Sequence, residues 1–547
     1  MEIMTRKSTI SWTRGSFSTL ATCVTIGLLW LPLVVQSASE LPAEIAKKLR
    51  THGIPAADIS LYVSRVSENS PTLAVNAATP RNPASVMKLL TSLAALDTLG
   101  PNFHWQTEAY VRGDLEDGVL KGDLILKGYG DPYLTPERFW QFLHGLRQRG
   151  IEEIQGDLII DSSYFEATRE NRGDFDGRPR RAYNALPHPL SLNFQTTKLH
   201  LLPNQTGTRI RVFTYPPLDN LDIRNSMELV SGPCQKQHLR PVILISEHND
   251  GATMSIQGSY SPDCPEWSGA YLVMDPADHV AGAFSTLWKE MGGNLDGVIK
   301  QGLVPQRARR FHSIESPPLA EVIRGMNKFS NNLMSRMLLL TMVAESHRAP
   351  AKTTHGQTLI TDWLNHWELP SSLVRVSNGS GLSRNARISA EIVGRLLQAA
   401  FKSPLMPEFM ASLPIVGIDG TMRKRLRTTG VAGRAHIKSG SLNNVSSMAG
   451  YVLDQHNQRW VVTLIINHLG LQSWQGKQVQ DAVLKWVYQG PKRSSDGAVQ
   501  VADTSELECE DGRQTQVNTE ETDGSPLSYL EQPIQTEKQL LKTAAIE

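Results

Sequence analysis

Strand-like segments lie near both ends of the foldable part of this chain, and that separation constrains the fold more than any other feature. Asp58–Val66 alternates as a half-buried strand does, and Thr72–Asn76 follows after the turn Glu68-Asn69-Ser70-Pro71, so the pair predicts a hairpin. Three similar runs come late: Ala435–Ser439, Ser446–Leu453 and Trp460–Asn467, joined by polar connections. Gln475–Tyr488 then sets Val479, Ala482, Val483, Trp486 and Val487 on one helical face. Two early strands and three late ones predict a single antiparallel sheet built from both ends of the chain, with helices over its faces.

Between these halves the texture is β-rich. Thr107–Arg112, Gly122–Lys127, Gly156–Asp161, Lys198–Leu202, Arg209–Phe213, Pro241–Ser246 and Thr253–Tyr260 read as short strands, interrupted by one helical pattern at Pro136–Arg149. Strands at such spacing pair among themselves, so residues 105–285 are expected to form an inserted module. The main domain is then discontinuous, over 39–104 and 286–490, in an α/β (α+β) chain of 547 residues, long enough for more than one core.

The two termini read differently. Arg6, Lys7 and Arg14 precede the apolar run Leu20–Val35, and Ser37, Ala38 and Ser39 follow it, which is the pattern of a cleaved export signal over 1–38. A retained membrane anchor is the alternative, although Pro32 breaks the run and its length is short for a span. With the signal removed, no stable transmembrane anchor is expected, and the mature protein is placed outside the cytoplasm, in the periplasm. An oxidising compartment permits a Cys234–Cys264 disulfide without requiring one. Cys509 would stay unpaired in a tail, 491–547, that is polar, acidic in blocks and poor in aromatics, the composition of disorder. Lys plus Arg number 55 against 54 Asp plus Glu, so no overall charge directs the chain to nucleic acid.

Chemistry enters at Asn82-Pro83-Ala84-Ser85-Val86-Met87-Lys88, which runs into the apolar segment Leu89–Leu96. Proline and small residues suit a helix start, and residues three apart on a helix are surface neighbours, so the Ser85 hydroxyl and the Lys88 amine share one face. Two more short motifs follow. Ser330-Asn331-Asn332 lies between two apolar helical stripes, and Lys438-Ser439-Gly440-Ser441 ends a predicted strand. Taken in this order and these settings, the three motifs resemble those of the penicillin-recognising serine enzymes: Ser-x-x-Lys, Ser-x-Asn and Lys-Thr-Gly or Lys-Ser-Gly. The long β-rich segment between the first two resembles the class C low-molecular-mass penicillin-binding proteins, the D-alanyl-D-alanine carboxypeptidase/endopeptidase family. Gly128-Tyr129-Gly130-Asp131-Pro132, Asp161-Ser162-Ser163-Tyr164-Phe165 and Gly379-Ser380-Gly381-Leu382-Ser383-Arg384 look like that family too. Two departures stand out: Asn378 opens the glycine turn where Asp is usual, and Ser439 stands where Thr is commoner.

The resemblance implies a penicillin-binding/β-lactamase-like fold that acts on peptidoglycan stem peptides and is acylated by β-lactams. Ser85 would be the nucleophile and Lys88 its base, provided that burial and a nearby Lys438 keep the amine neutral. Ser330 would pass a proton to the leaving D-alanine nitrogen, or else cap the following helix. Asn332 would bond the substrate's amide carbonyl and hold Lys88. Ser439 and Ser441, with Lys438, would bind the terminal carboxylate, and Gly440 would leave room for substrate beside the strand. Backbone N–H groups of Ser85 and Ser441 would form the oxyanion hole. Asp161, Arg384, Leu442 and Asn443 would line a pocket for the stem-peptide side chain, although Asp161 equally suits a strand end and Arg384 a surface salt bridge. No cofactor or metal is expected, since none of the fifteen histidines is followed by Glu as a His-Glu-x-x-His site requires. A β-lactamase and a non-catalytic peptidoglycan-binding protein are the competing readings.

Overall fold

The computed structural model describes residues 41–491 apart from Arg169, Gln205, Asp250 and Arg348. The expected export signal and all of the tail beyond Pro491, Cys509 included, lie outside them. The two hairpin segments form β1 (Ile59–Arg65) and β2 (Leu73–Val75), and the late runs form β3 (Ala435–Leu442), β4 (Val445–Leu453) and β5 (Arg459–Asn467). They join in one five-stranded antiparallel sheet of order β3-β4-β5-β1-β2, so the first and last strands among the described residues pair at its centre, Ile59 opposite Ile466.

The period-2 alternation of the central strands decides what each face buries. Leu61, Val63, Val462 and Leu464 point to one side, where α1 (Ala43–Thr51) adds Ile45 and Leu49 and the C-terminal helix Ser473–Tyr488 adds Val479 and Val483. Tyr62, Val461 and Ile465 point to the other side, into a larger core with α2 (Met87–Leu99), α3 (Leu319–Phe329), α4 (Asn332–His347) and α5 (Ala390–Lys402). The C-terminal helix is α6. Because α2 is packed on every side, residues 87–96 are all buried, and its polar members Lys88, Thr91 and Ser92 must find partners inside.

The segment between α2 and α3 has its own apolar core, built from Leu124, Phe139, Phe142, Met254, Phe284 and others, separate from the two beside the main sheet. Its pairing and packing continue past residue 285. Helix Pro276–Glu290 contributes Phe284 and Trp288 to this core, and the strand Arg309–Glu315 pairs antiparallel with Gln106–Glu116, bringing Glu315 opposite Gln106. The inserted sheet therefore runs thirty residues past 285, and its first and last strands lie side by side. Short polar strands such as Ile299–Gln301, with only Ile299 half-buried, carry too little apolar pattern to be read from sequence. Cys234 and Cys264 are joined by a disulfide within the insert. Among the described residues, no helix is long and apolar enough to cross a membrane.

Candidate active site

Ser85 sits in a 3₁₀ turn, Ala84–Val86, that leads directly into α2. Ala84 takes a left-handed φ of 46°, a conformation that non-glycine residues reach only at some cost. Neighbours hold it there: Ala84 N donates to Asn82 Oδ1 at 3.0 Å, and Ser447 Oγ donates to the Pro83 carbonyl at 2.5 Å. One turn further on, Lys88 Nζ lies 3.0 Å from Ser85 Oγ and also reaches Asn332 Oδ1 (2.7 Å) and the Ser380 carbonyl (2.6 Å). The last two are acceptors only. A neutral amine has two N–H groups for them and one lone pair left over, which then faces the Ser85 hydroxyl proton. Burial pushes the Lys88 ammonium well below its ordinary range, and the nearby Lys438 cation lowers it further.

The second motif divides its work in a way the sequence does not reveal. Ser330 ends α3 in the left-handed region, at φ 59° and ψ 39°, which turns its hydroxyl toward Lys438 Nζ at 2.8 Å. Capping of α4 falls instead to Asn331, whose Oδ1 accepts from Met334 N at 3.1 Å, so the capping role considered for Ser330 is not the one it has. Asn332 accepts from Lys88 and donates through Nδ2 to the Tyr183 carbonyl (3.1 Å), which comes from the insert.

The third motif lies on β3, the edge strand. Lys438 is fully buried, donates to Ser330 Oγ and the Ser439 carbonyl, and is pushed down to about 7 by burial. Gly440 has a reason that the sequence does not show. A Cβ there would lie 2.8 Å from both Pro83 O and Ser85 N and 2.4 Å from Ser447 Oγ, so glycine is needed for the strand to approach the Ser85 turn, before any substrate arrives. Ser85, Ser330, Ser439, Gly440 and Ser441 together line a cleft of ≈ 480 Å³. A larger cleft of ≈ 930 Å³ lies by β2 and α5, lined by residues such as Tyr62, Trp367 and Glu391, and holds none of these groups.

The glycine turn lies directly under the Ser85 turn. Besides the Ser380 carbonyl on Lys88, the Gly379 carbonyl accepts from Thr91 Oγ1 and Ser335 Oγ, and a Cβ on Gly381 would meet the Ala84 carbonyl at 1.8 Å. Asn378 uses both ends of its amide: Oδ1 accepts from Ser380 N and Oγ, while Nδ2 donates to the Leu382 carbonyl. A carboxylate could not make the last bond, so the uncharged residue is accommodated by the turn itself.

The residues expected to form a side-chain pocket are not all gathered. Arg384 Nη1 donates to the Asn443 carbonyl at 3.3 Å, at the end of β3 beyond Leu442, and its guanidinium lies over the Phe175 ring at 4.6 Å; no salt bridge involves it among the described residues. Asp161 is spent inside the insert, where Oδ1 accepts from Ser163 N, Oδ2 accepts from Val304 N, and Lys127 Nζ is 3.6 Å away. Those bonds hold its carboxyl below the usual range against the opposing effect of burial. Sequence reasoning passed over Thr421, whose hydroxyl is 3.3 Å from Ser439 Oγ, and the carbonyls of Ser380 and Tyr183. The glycine turn was the only signal pointing to any of them.

The family model for D-Ala-D-Ala carboxypeptidase 3 (S13) matches residues 41–489. The chain belongs to this family. A D-alanyl-D-alanine carboxypeptidase from Haemophilus influenzae is 21% identical over 412 residues, covering 75% of this chain and 85% of the relative. One from an Actinomadura species is 27% identical over 395 residues, covering 68% of this chain and 70% of the relative. Among solved structures, penicillin binding protein 4 of H. influenzae superposes with a TM-score of 0.69 at 20% identity, covering 81% of this chain and 99% of that one. The penicillin-binding/β-lactamase-like fold is thus shared with that protein.

Proposed function

We propose that this S13 family member is an exported, periplasmic serine-type D-Ala-D-Ala carboxypeptidase and DD-endopeptidase that works on peptidoglycan stem peptides through an acyl-enzyme on Ser85. The observation that carries this reading is the surroundings of Lys88: a buried amine with two fixed acceptors and the Ser85 hydroxyl as its third neighbour. Lys88 takes the Ser85 proton as Oγ attacks the carbonyl of the penultimate D-alanine. The Ser85 and Ser441 amides receive the developing oxyanion, where one lost donor typically costs about 3–4 kcal/mol. Ser330, bonded to Lys438, passes a proton to the departing nitrogen, and the C–N bond breaks. Lys438, Ser439 and Ser441 hold the terminal carboxylate, with Thr421 beside Ser439. Asn332 has a second N–H for the substrate's amide carbonyl, and Arg384, Leu442 and Asn443 flank the acyl side. Water activated by Lys88 then releases the acyl group and restores Ser85.

A β-lactam presents the same carbonyl and carboxylate, so it acylates Ser85 too. That the H. influenzae protein was solved with a β-lactam supports this by likeness of fold. The test is labelling by a fluorescent penicillin together with D-alanine release from a stem pentapeptide. Wild type should show both and Ser85→Ala neither; labelling that persists in the variant rules Ser85 out as nucleophile.

A further inference from the structure

The cleft is charged in one sense only. Beside Ser439, the 3₁₀ turn Gly420–Met422 is followed by Arg423, Lys424 and Arg425 along the wall, Lys477 of α6 lines the same space, and among the described residues no acidic side chain does. Arg425 is already committed, to Asp481 and the Gln480 side chain. Arg423, Lys424 and Lys477 are exposed, and none forms an ion pair among the described residues. In a chain with 55 basic and 54 acidic residues this is a local concentration of charge rather than an overflow.

Its place along the cleft follows from β3. Thr421 meets Ser439 within the strand, whereas Arg384 meets Asn443 in the turn past its end at Leu442, three strand residues or roughly 10 Å further along. If the carboxylate next to the scissile bond sits at Lys438 and Ser439, a leaving group that continues past it runs by Thr421 toward Arg423 and Lys424. A lone D-alanine stops short of them.

We propose that Arg423, Lys424 and Lys477 form an anion-binding extension on the leaving-group side of the cleft. It favours cross-linked peptides, whose leaving group is a second peptide with carboxylates of its own, over release of single D-alanine. The inference rests on the acyl-transfer reading of the same cleft. The bond chemistry is unchanged: the C–N bond breaks, the departing amine gains a proton, and water supplies the hydroxyl to the acyl group.

The experiment compares the full chain with a triple variant, Arg423→Gln, Lys424→Gln and Lys477→Gln, on a cross-linked muropeptide dimer and a pentapeptide monomer. The ratio of kcat/KM for dimer over monomer should fall about tenfold in the variant, mostly through KM. Raising the ionic strength should lower the same ratio in wild type and not in the variant, because exposed charges are screened. The salt series on wild type keeps the test valid even if the variant folds poorly. A wild-type ratio indifferent to salt, or a folded variant with an unchanged ratio, overturns the extension while leaving the peptidase reading intact. A wild type that cleaves neither substrate and takes up no penicillin removes the peptidase reading, and the extension with it.

Discussion

Two lysines of the same site have different surroundings. Lys88 meets carbonyl acceptors and the Ser85 hydroxyl, while Lys438 meets Ser330 Oγ and the Ser439 carbonyl. Both are fully buried, and burial disfavours the charged form of each. Below pH about 7 Lys438 is cationic and helps to keep Lys88 neutral. Lys438→Met removes that repulsion, so Lys88 retains its proton to higher pH. The acid limb of the penicillin acylation profile should therefore move upward, and a limb that stays or moves down refutes the coupling. Stability gives a second readout. With Lys438 at about 7 in the fold and 10.5 as its ordinary value, the unfolded chain binds more protons between them, so its contribution to stability rises with pH across that window. The thermal midpoint should climb more from pH 7 toward 9 in wild type than in Lys438→Met, by approximately what the linkage relation gives for one lysine.

At the scale of elements, the site is a junction of four backbone segments, and its precision depends on how closely they approach. The 3₁₀ turn of Ser85 is wedged between β3, which needs Gly440, and the glycine turn, which needs Gly381. Gly440→Ala places a methyl group against Pro83 O, Ser85 N and Ser447 Oγ, two of them backbone atoms that cannot swing away. The strand and the turn must separate, which moves the Ser85 and Ser441 amides apart. A displacement near 1 Å typically costs about 10²-fold in rate. The second-order rate of penicillin acylation should drop by that order with the fold retained, and a wild-type rate would show that the approach is not needed.

The described residues form a sheet body and an insert; the insert has an apolar core of its own, while its Tyr164, Phe165, Ala185 and Leu272 pack into the core around α2. The insert leans on α4: Tyr164 bonds to Glu345, Glu170 to Arg336, and the Tyr183 carbonyl to Asn332. Its Cys234–Cys264 bridge closes a loop with a sequence separation of 30, which by chain entropy stabilises by about 3–4 kcal/mol. Replacing both cysteines by serine should expose the insert to protease well before penicillin labelling is lost, since the Ser85 turn and Lys88 pack in the other core. Coincident loss of both would mean that the two parts unfold as one.

Periodicity and residue chemistry alone were enough for the five-strand sheet, because Ile59–Arg65 and Arg459–Asn467 carry their burial pattern locally. Ser85, Lys88, Ser330, Asn332 and Lys438 were singled out by the resemblance of their three motifs to a known family, and the fold brings their side chains within hydrogen-bond reach of one another. The extent of the insert was not legible, because its final strands are short and polar and are held by backbone pairing to strands far away. Nor was the need for Gly440, the capping by Asn331 or the carbonyl of Ser380 on Lys88: a backbone carbonyl is the same in every residue, and a clash exists only once two segments meet. The charge state of Lys88 belongs to the tertiary structure entirely, since burial and a neighbour 350 positions later in the sequence decide whether its lone pair is available.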